Sequence, residues 1–213
     1  MNDERIFYDI TDFPNFKQIE DNWEIIASEI PSFDIHGTYV RRDIHFPKDK
    51  PLKEIEEYIL ARRPSGFWLE LFSSNRERYS FPLVYRDEIV SYARNLCPQT
   101  IRILSELMKT TNIAGAAFGL ITPHNRMPSH KDGSPGFLAS NMLLTDSPNV
   151  CVWVDNVMHP HVRGKMVIYN PLRIHRVNND NDTNRVILNI EFGREFVPNR
   201  TQYHTIYLRE SFT

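Results

Sequence analysis

The chain has 213 residues, of which 41% are hydrophobic and 24% charged, enough for one globular domain with a sizeable core. A formal net charge of -2 argues against bulk binding to nucleic acid or an anionic membrane, since both need a strong basic excess. No run approaches the ~18 apolar residues of a membrane span, the acidic amino terminus has no apolar signal segment, and two distant cysteines, Cys97 and Cys151, suit a reducing cytoplasm.

In the first half, Phe16, Ile19, Trp23, Ile26 and Ile30 recur at the spacing of one helical face, and Pro31 stops the pattern. A second helix is expected over 55–60. Over 88–108 the spacing predicts two helices, with Cys97 the last residue of one and Pro98 in the first turn of the next. Ile101, Leu104, Leu107 and Met108 give that second helix a buried stripe.

After about residue 113 the texture changes to short apolar runs punctuated by Pro, Gly, Asn and Asp. Strands are expected near 114–121, 138–144, 151–154, 166–169 and 185–192. Many short, evenly spaced strands predict a mainly β fold with flanking helices, a sandwich or jelly roll. The expected organisation is one domain over 1–213, helix-rich over 1–112 and with the jelly-roll core over 113–213.

The densest chemistry is His130-Lys131-Asp132, just after Pro128. In a strand, residues i and i+2 face the same way, so imidazole and carboxylate converge. A second histidine completes a two-histidine, one-carboxylate triad, which leaves one face of an iron(II) ion open to substrate and oxygen. His175, ahead of an Asn/Asp-rich turn and the last apolar strand, is the natural third ligand. Ten residues later Arg185 opens that strand, and a guanidinium inside an apolar strand calls for a carboxylate partner.

Several secondary candidates accompany these. His124 and Arg126 share a face with His130 if one strand runs that far, and are candidate substrate-carboxylate contacts. Arg173 and Lys131 flank the candidate ligands and are candidates for the pocket mouth. His159 and His161 have the spacing of a metal pair, but Pro160 between them predicts a turn. Trp153 and Trp23 are expected in packing.

These residues resemble the aspartyl/asparaginyl β-hydroxylase family. Ile19-Glu20-Asp21-Asn22-Trp23-Glu24-Ile25-Ile26 is similar to its Leu-Glu-x-Asn-Trp-x-x-Ile helix, and Cys97-Pro98-Gln99-Thr100 to its Cys-Pro-x-Thr helix start. Pro128-Ser129-His130 resembles the Pro-x-His that brings in the first metal ligand. Gly164-Lys165-Met166-Val167-Ile168-Tyr169 is similar to the strand that delivers the distal histidine eleven residues after the glycine. The step from His175 to Arg185 resembles that to the family's co-substrate arginine.

The resemblance implies a double-stranded β-helix, cupin-like, with iron(II) held by His130, Asp132 and His175. It implies 2-oxoglutarate as co-substrate, its distal carboxylate on Arg185, and O2 as oxidant. The reaction implied is decarboxylation of the keto acid to succinate coupled to hydroxylation of an unactivated carbon. Where the family often carries Arg-x-His toward the keto acid, this chain has Ala139 and Asn141, of which Asn141 can still donate. The expected substrate is an amino acid, a related small molecule, or a peptide or protein side chain; oligomeric state is not indicated. A cupin-like non-oxygenase such as an isomerase keeps the three ligands without needing Arg185. An inactive binding module is disfavoured, since a carboxylate buried beside two imidazoles is costly to retain without a metal.

Overall fold

The front half of the chain supplies strands as well as the expected helices. The computed structural model describes residues 5–33, 40–41, 50–62, 67–70, 77–133 and 135–195; the ends of the predicted domain, 1–4 and 196–213, lie outside them. In chain order come β1 (Phe7–Tyr8), α1 (Lys17–Asp21), α2 (Trp23–Ser28), β2 (Val40–Arg41), α3 (Leu52–Arg62), β3 (Leu69–Glu70), β4 (Arg78–Tyr85), β5 (Glu88–Ile89), α4 (Ser91–Leu96) and α5 (Pro98–Met108). The second half contributes β6 (Ile113–Ile121), β7 (Asn125–His130), β8 (Phe137–Leu143), β9 (Cys151–Val154), β10 (Val157–Pro160), β11 (Met166–Tyr169), β12 (His175–Asn179) and β13 (Arg185–Gly193).

The single helix expected over 16–30 is two. Asn22 leaves the helical region at φ -113, ψ 18, and its amide donates back to the Gln18 carbonyl at 2.8 Å, a side-chain bond that competes with the helix ladder. Cys97, expected to end α4, stands outside both helices at φ -135, ψ 53, and Pro98 opens α5. The Glu29 carboxylate caps α5, accepting from the amides of Gln99 at 2.9 Å and Thr100 at 2.6 Å. Burial pushes the Cys97 thiol up to about 12, so it packs as an inert group.

From β6 onward the strands divide between two sheets, and every pairing among β6 to β13 is antiparallel. One runs β11-β8-β13-β6 and continues through β4 and β3 to β2, with β1 on its other edge; the opposing sheet runs β10-β9-β12-β7. With β6, β8, β11 and β13 facing β7, β9, β10 and β12, this is a double-stranded β-helix, or jelly roll. The two parts of the chain therefore share one sheet, because β4 pairs along β6 from Arg78↔Ile121 to Tyr85↔Gly115.

The large sheet buries both faces. Phe118, Leu120, Leu188, Ile190 and Phe192 pack outward against Phe16, Ile19, Ile26, Leu104 and Leu107 of the helical layer. Ile121, Ala139, Val167 and Tyr169 face inward and meet Val152, Val154 and Val177 of the small sheet. Two of the motifs bind the helical layer to β11. Glu20 accepts from the Met166 amide at 2.9 Å and from Lys165 Nζ at 3.0 Å. Gly164 sits at φ +72 with the Trp23 indole so close that an added Cβ would lie 2.7 Å from the ring. Among the described residues no helix is long and apolar enough to cross a membrane.

Candidate metal centre

His130 reaches the barrel mouth through an irregularity in β7. Across the β7–β12 ladder His175 pairs with His130 and Val177 with Met127, so between these pairs two residues of β7, Pro128 and Ser129, stand opposite one of β12, Arg176. This is a β-bulge, and it lets Met127 and His130, three apart, face the same way. Pro128, which has no N–H to give a ladder, and Ser129 lie exposed within it.

The bulge corrects the expectation that His124, Arg126 and His130 share a face. Arg126 pairs with Asn178, on the opposite side of the sheet from Val177 and His175, and is exposed. His124 lies in the preceding turn at φ +56, with its Nε2 2.9 Å from Asp182 Oδ1. Asp132 does not share a strand with His130 either: it follows the end of β7, in a loop held by its own amide donating to the Pro171 carbonyl at 3.0 Å.

The three predicted ligands nonetheless come together. His130 Nε2 and His175 Nε2 each lie 3.4 Å from an oxygen of Asp132, the rings are 4.1 Å apart between centroids, and the three ligand atoms fall within 4.8 Å of one another. Backbone carbonyls set the tautomers. His130 Nδ1 donates to Pro128 O at 2.7 Å and His175 Nδ1 to Arg173 O at 2.9 Å. In the neutral rings both Nε2 lone pairs then point at a carboxylate, three electron-rich groups with no proton between them, which is the donor set a cation requires. His175 is buried, while the Asp132 side chain is 49% exposed and marks the open side.

The two rings differ in basicity. Burial lowers the His130 pKa, but the Asp132 carboxylate and the Pro128 carbonyl outweigh it and hold it above 6.5. Burial dominates at His175 and, with His130 adjacent, carries it below 6.5 despite Asp132.

Arg185 lies on the inner face of β13 and is 2% exposed. Its Nε has no hydrogen-bond partner, and among the described residues no carboxylate pairs with it. Burial lowers its pKa to about 10, so it remains charged at neutral pH. Among the described residues its side-chain hydrogen-bond partner is His161, whose Nδ1 accepts from the guanidinium at 2.9 Å. Tyr169 fills the space toward the metal centre: its ring is 5.1 Å from that of His175, and its hydroxyl, with a pKa raised by burial and next by Asp132, accepts from Asn141 Nδ2 at 3.2 Å. The Asn141 amide oxygen accepts from Asn189 at 2.8 Å, so this predicted co-substrate donor is engaged within the wall of the pocket.

Sequence reasoning set His161 aside as part of a turn. Instead β10 runs through Pro160 at a sheet edge, where a missing N–H is tolerated, and His161 follows it inward to 4% exposure. Arg78 was also missed; as a register partner of Ile121 it flanks the same inner face, its guanidinium 3.0 Å from Met127 Sδ and close enough to lower the His130 pKa. Arg173, expected at the pocket mouth, pairs with Asp155 at 2.6 Å. Trp153 is partly buried on the outer face of β9, beneath the Arg176 guanidinium at 4.4 Å, rather than in the core.

Fold and site together define a jelly-roll protein with a histidine–aspartate–histidine cluster at the barrel mouth and a buried arginine on the last strand. The chain belongs to the aspartyl/asparaginyl β-hydroxylase family, whose pattern matches residues 20–195. No curated protein is significantly similar to it in sequence. Similar solved structures include a 2OG-Fe(II) oxygenase-family oxidoreductase from Burkholderia pseudomallei, at 14% identity over 55% of this chain and 67% of that one, with a TM-score of 0.39. A predicted oxalate decarboxylase from Thermotoga maritima is 13% identical over 58% and 90% of the two chains, with a TM-score of 0.40. A cupin domain of an Enterobacter cloacae transcriptional regulator is 10% identical over 57% and 98%, with a TM-score of 0.38. Likenesses this distant transfer no activity.

Proposed function

We propose that the protein is a cytoplasmic iron(II)- and 2-oxoglutarate-dependent hydroxylase. Its substrate is an amino acid, an amino-acid-derived small molecule, or a peptide or protein side chain. One observation carries the reading: a donor set of two imidazole nitrogens and one carboxylate, within 4.8 Å of one another, shares a barrel with a buried guanidinium that has no carboxylate partner among the described residues.

His130 Nε2, His175 Nε2 and Asp132 hold the metal, and the carbonyls of Pro128 and Arg173 fix the ring orientations. Bound iron(II) supplies oxygen activation, coupling decarboxylation of the keto acid to hydroxylation of a carbon. Arg185 would pair with the distal carboxylate of 2-oxoglutarate through charge-assisted hydrogen bonds. Tyr169 and the apolar residues Ile121, Val154 and Val177 keep that region dry, which strengthens the pairing. The exposed edge of Asp132 leaves the side by which substrate enters.

Anaerobic addition of iron(II) and 2-oxoglutarate should produce a metal-to-ligand charge-transfer band in the visible. Well-folded, iron-loaded protein without that band is a non-oxygenase barrel. Amino acids and peptides are then screened for substrate-stimulated succinate release and a product heavier by one oxygen.

A further inference from the structure

His161 belongs to no ligand set, yet both its ring nitrogens are committed inside the barrel. Nε2 lies 3.0 Å from the Asn141 carbonyl oxygen, which can only accept, so Nε2 carries the proton. Nδ1 is therefore a lone pair, and it receives the Arg185 guanidinium at 2.9 Å. The ring is 4% exposed and is anchored by its own amide, which donates to the Val150 carbonyl at 2.8 Å. Nothing on neighbouring β8 offers Arg185 a side-chain acceptor: Ala139 has none, and the Asn141 amide oxygen is taken by Asn189.

A carboxylate in this position would hold the guanidinium more strongly, but it would also neutralise it. A neutral imidazole holds it in place and leaves its charge and its unpartnered Nε–H for a ligand. Protonation of the imidazole is opposed by burial and by the adjacent cation, which together depress its pKa to about 3. The acceptor therefore persists across the physiological range.

We infer that His161 is a positioning residue for the co-substrate, orienting Arg185 without neutralising it so that the guanidinium stays available to a carboxylate ligand. This rests on the function proposed above and adds a residue outside the metal ligands and the co-substrate arginine.

Three variants and one measurement test it. In His161→Gln the amide oxygen and nitrogen reproduce both hydrogen bonds, and the half-saturating 2-oxoglutarate concentration should stay within about threefold. His161→Leu removes the acceptor and should raise that concentration about tenfold or more, since it breaks a hydrogen bond to a charged group; iron affinity should not change. His161→Glu supplies a charged acceptor that pairs with Arg185 internally, and should lose keto-acid binding more completely than His161→Leu. A Leu variant with unchanged 2-oxoglutarate dependence, or a Glu variant binding the keto acid as well as Gln, overturns the inference. Should the Leu and Glu variants not fold, long-range ¹H–¹⁵N correlation on the unsubstituted histidine-labelled protein decides, with the His161 signal identified by its loss in His161→Gln. The Nε2–H tautomer is expected, and an Nδ1–H tautomer removes the acceptor and ends the proposal. That spectrum needs neither iron nor keto acid, so its failure and a failure of the hydroxylase reading are separate results.

Discussion

Replacing Arg185 with Met separates a binding group from a stabilising one. The guanidinium is 2% exposed and charged, and among the described residues it has no carboxylate partner and its Nε is unsatisfied. A buried polar group left in that state costs ~1–3 kcal/mol in the ligand-free protein. Met has a similar reach and no charge, so the cost is relieved, at the expense of about 1 kcal/mol for the donor His161 loses. The ligand-free variant should match the parent or exceed it by up to ~2 kcal/mol, a Tm higher by as much as about 8 °C for a chain of this size. Keto-acid affinity should move the other way. Truncating one partner of a buried charge pair costs ~2–5 kcal/mol, which is at least about 30-fold. Differential scanning calorimetry of the metal-free protein and anaerobic 2-oxoglutarate titration of the iron-loaded protein read the two effects. A Tm about 8 °C lower together with keto-acid affinity within threefold would make Arg185 a structural residue and refute the reasoning.

Asp132→Ala should lower iron(II) affinity by about 100-fold or more in a competition titration, because loss of a ligand exceeds the loss of a supporting contact; its half-exposed side chain means little change in metal-free stability. Gly164→Ala forces a φ of +72 on a residue with a Cβ and drives that carbon to 2.7 Å from the Trp23 indole. Backbone strain of ~1–2 kcal/mol and repacking of ~1–3 kcal/mol should lower Tm by about 10 °C and shift the tryptophan emission. The folded pKa of His161, about 3, lies below its ordinary 6.5, so the unfolded chain takes up that proton first as pH falls. Its contribution is fully present above 6.5 and is lost on acidification from 6.5 toward 3, at up to ~1.4 kcal/mol per pH unit. Urea unfolding at pH 7 and pH 5 should show a smaller acid loss in His161→Gln than in the parent.

Local pattern located β6, β8, β9, β11 and β13 but not β7, β10 or β12, and it picked out the three side chains that meet at the barrel mouth. The break at Cys97-Pro98 was legible because proline acts on its own neighbours. The motifs proved largely structural: Glu20 and Trp23 act on β11, and the Cys97-Pro98 turn receives its cap from Glu29, 70 residues earlier than Gln99. What could not be read was set by register. Nothing in Arg126-Met127-Pro128-Ser129-His130 announces that β7 carries one residue more than β12 opposite it, and without that count the face of His124 and Arg126 comes out reversed. His161 was hidden by Pro160, since turn and edge strand share that residue and only the pairing with β9 distinguishes them. The membership of β4 in the barrel's sheet is likewise a long-range pairing, with no trace in its own eight residues.

The extra residue in β7 also limits how this molecule can change in length. Most surface connections accept a lost or gained residue at modest cost, because the chain can redraw its path without disturbing what lies at either end. Deleting Ser129 would leave every ligand in the sequence but restore strict alternation from Met127 onward. Met127 and His130 would then stand two apart and still face the barrel, so it is the loss of both Pro128 and Ser129 that would turn the His130 imidazole outward, leaving the family's most recognisable cluster readable in a protein unable to hold its ion.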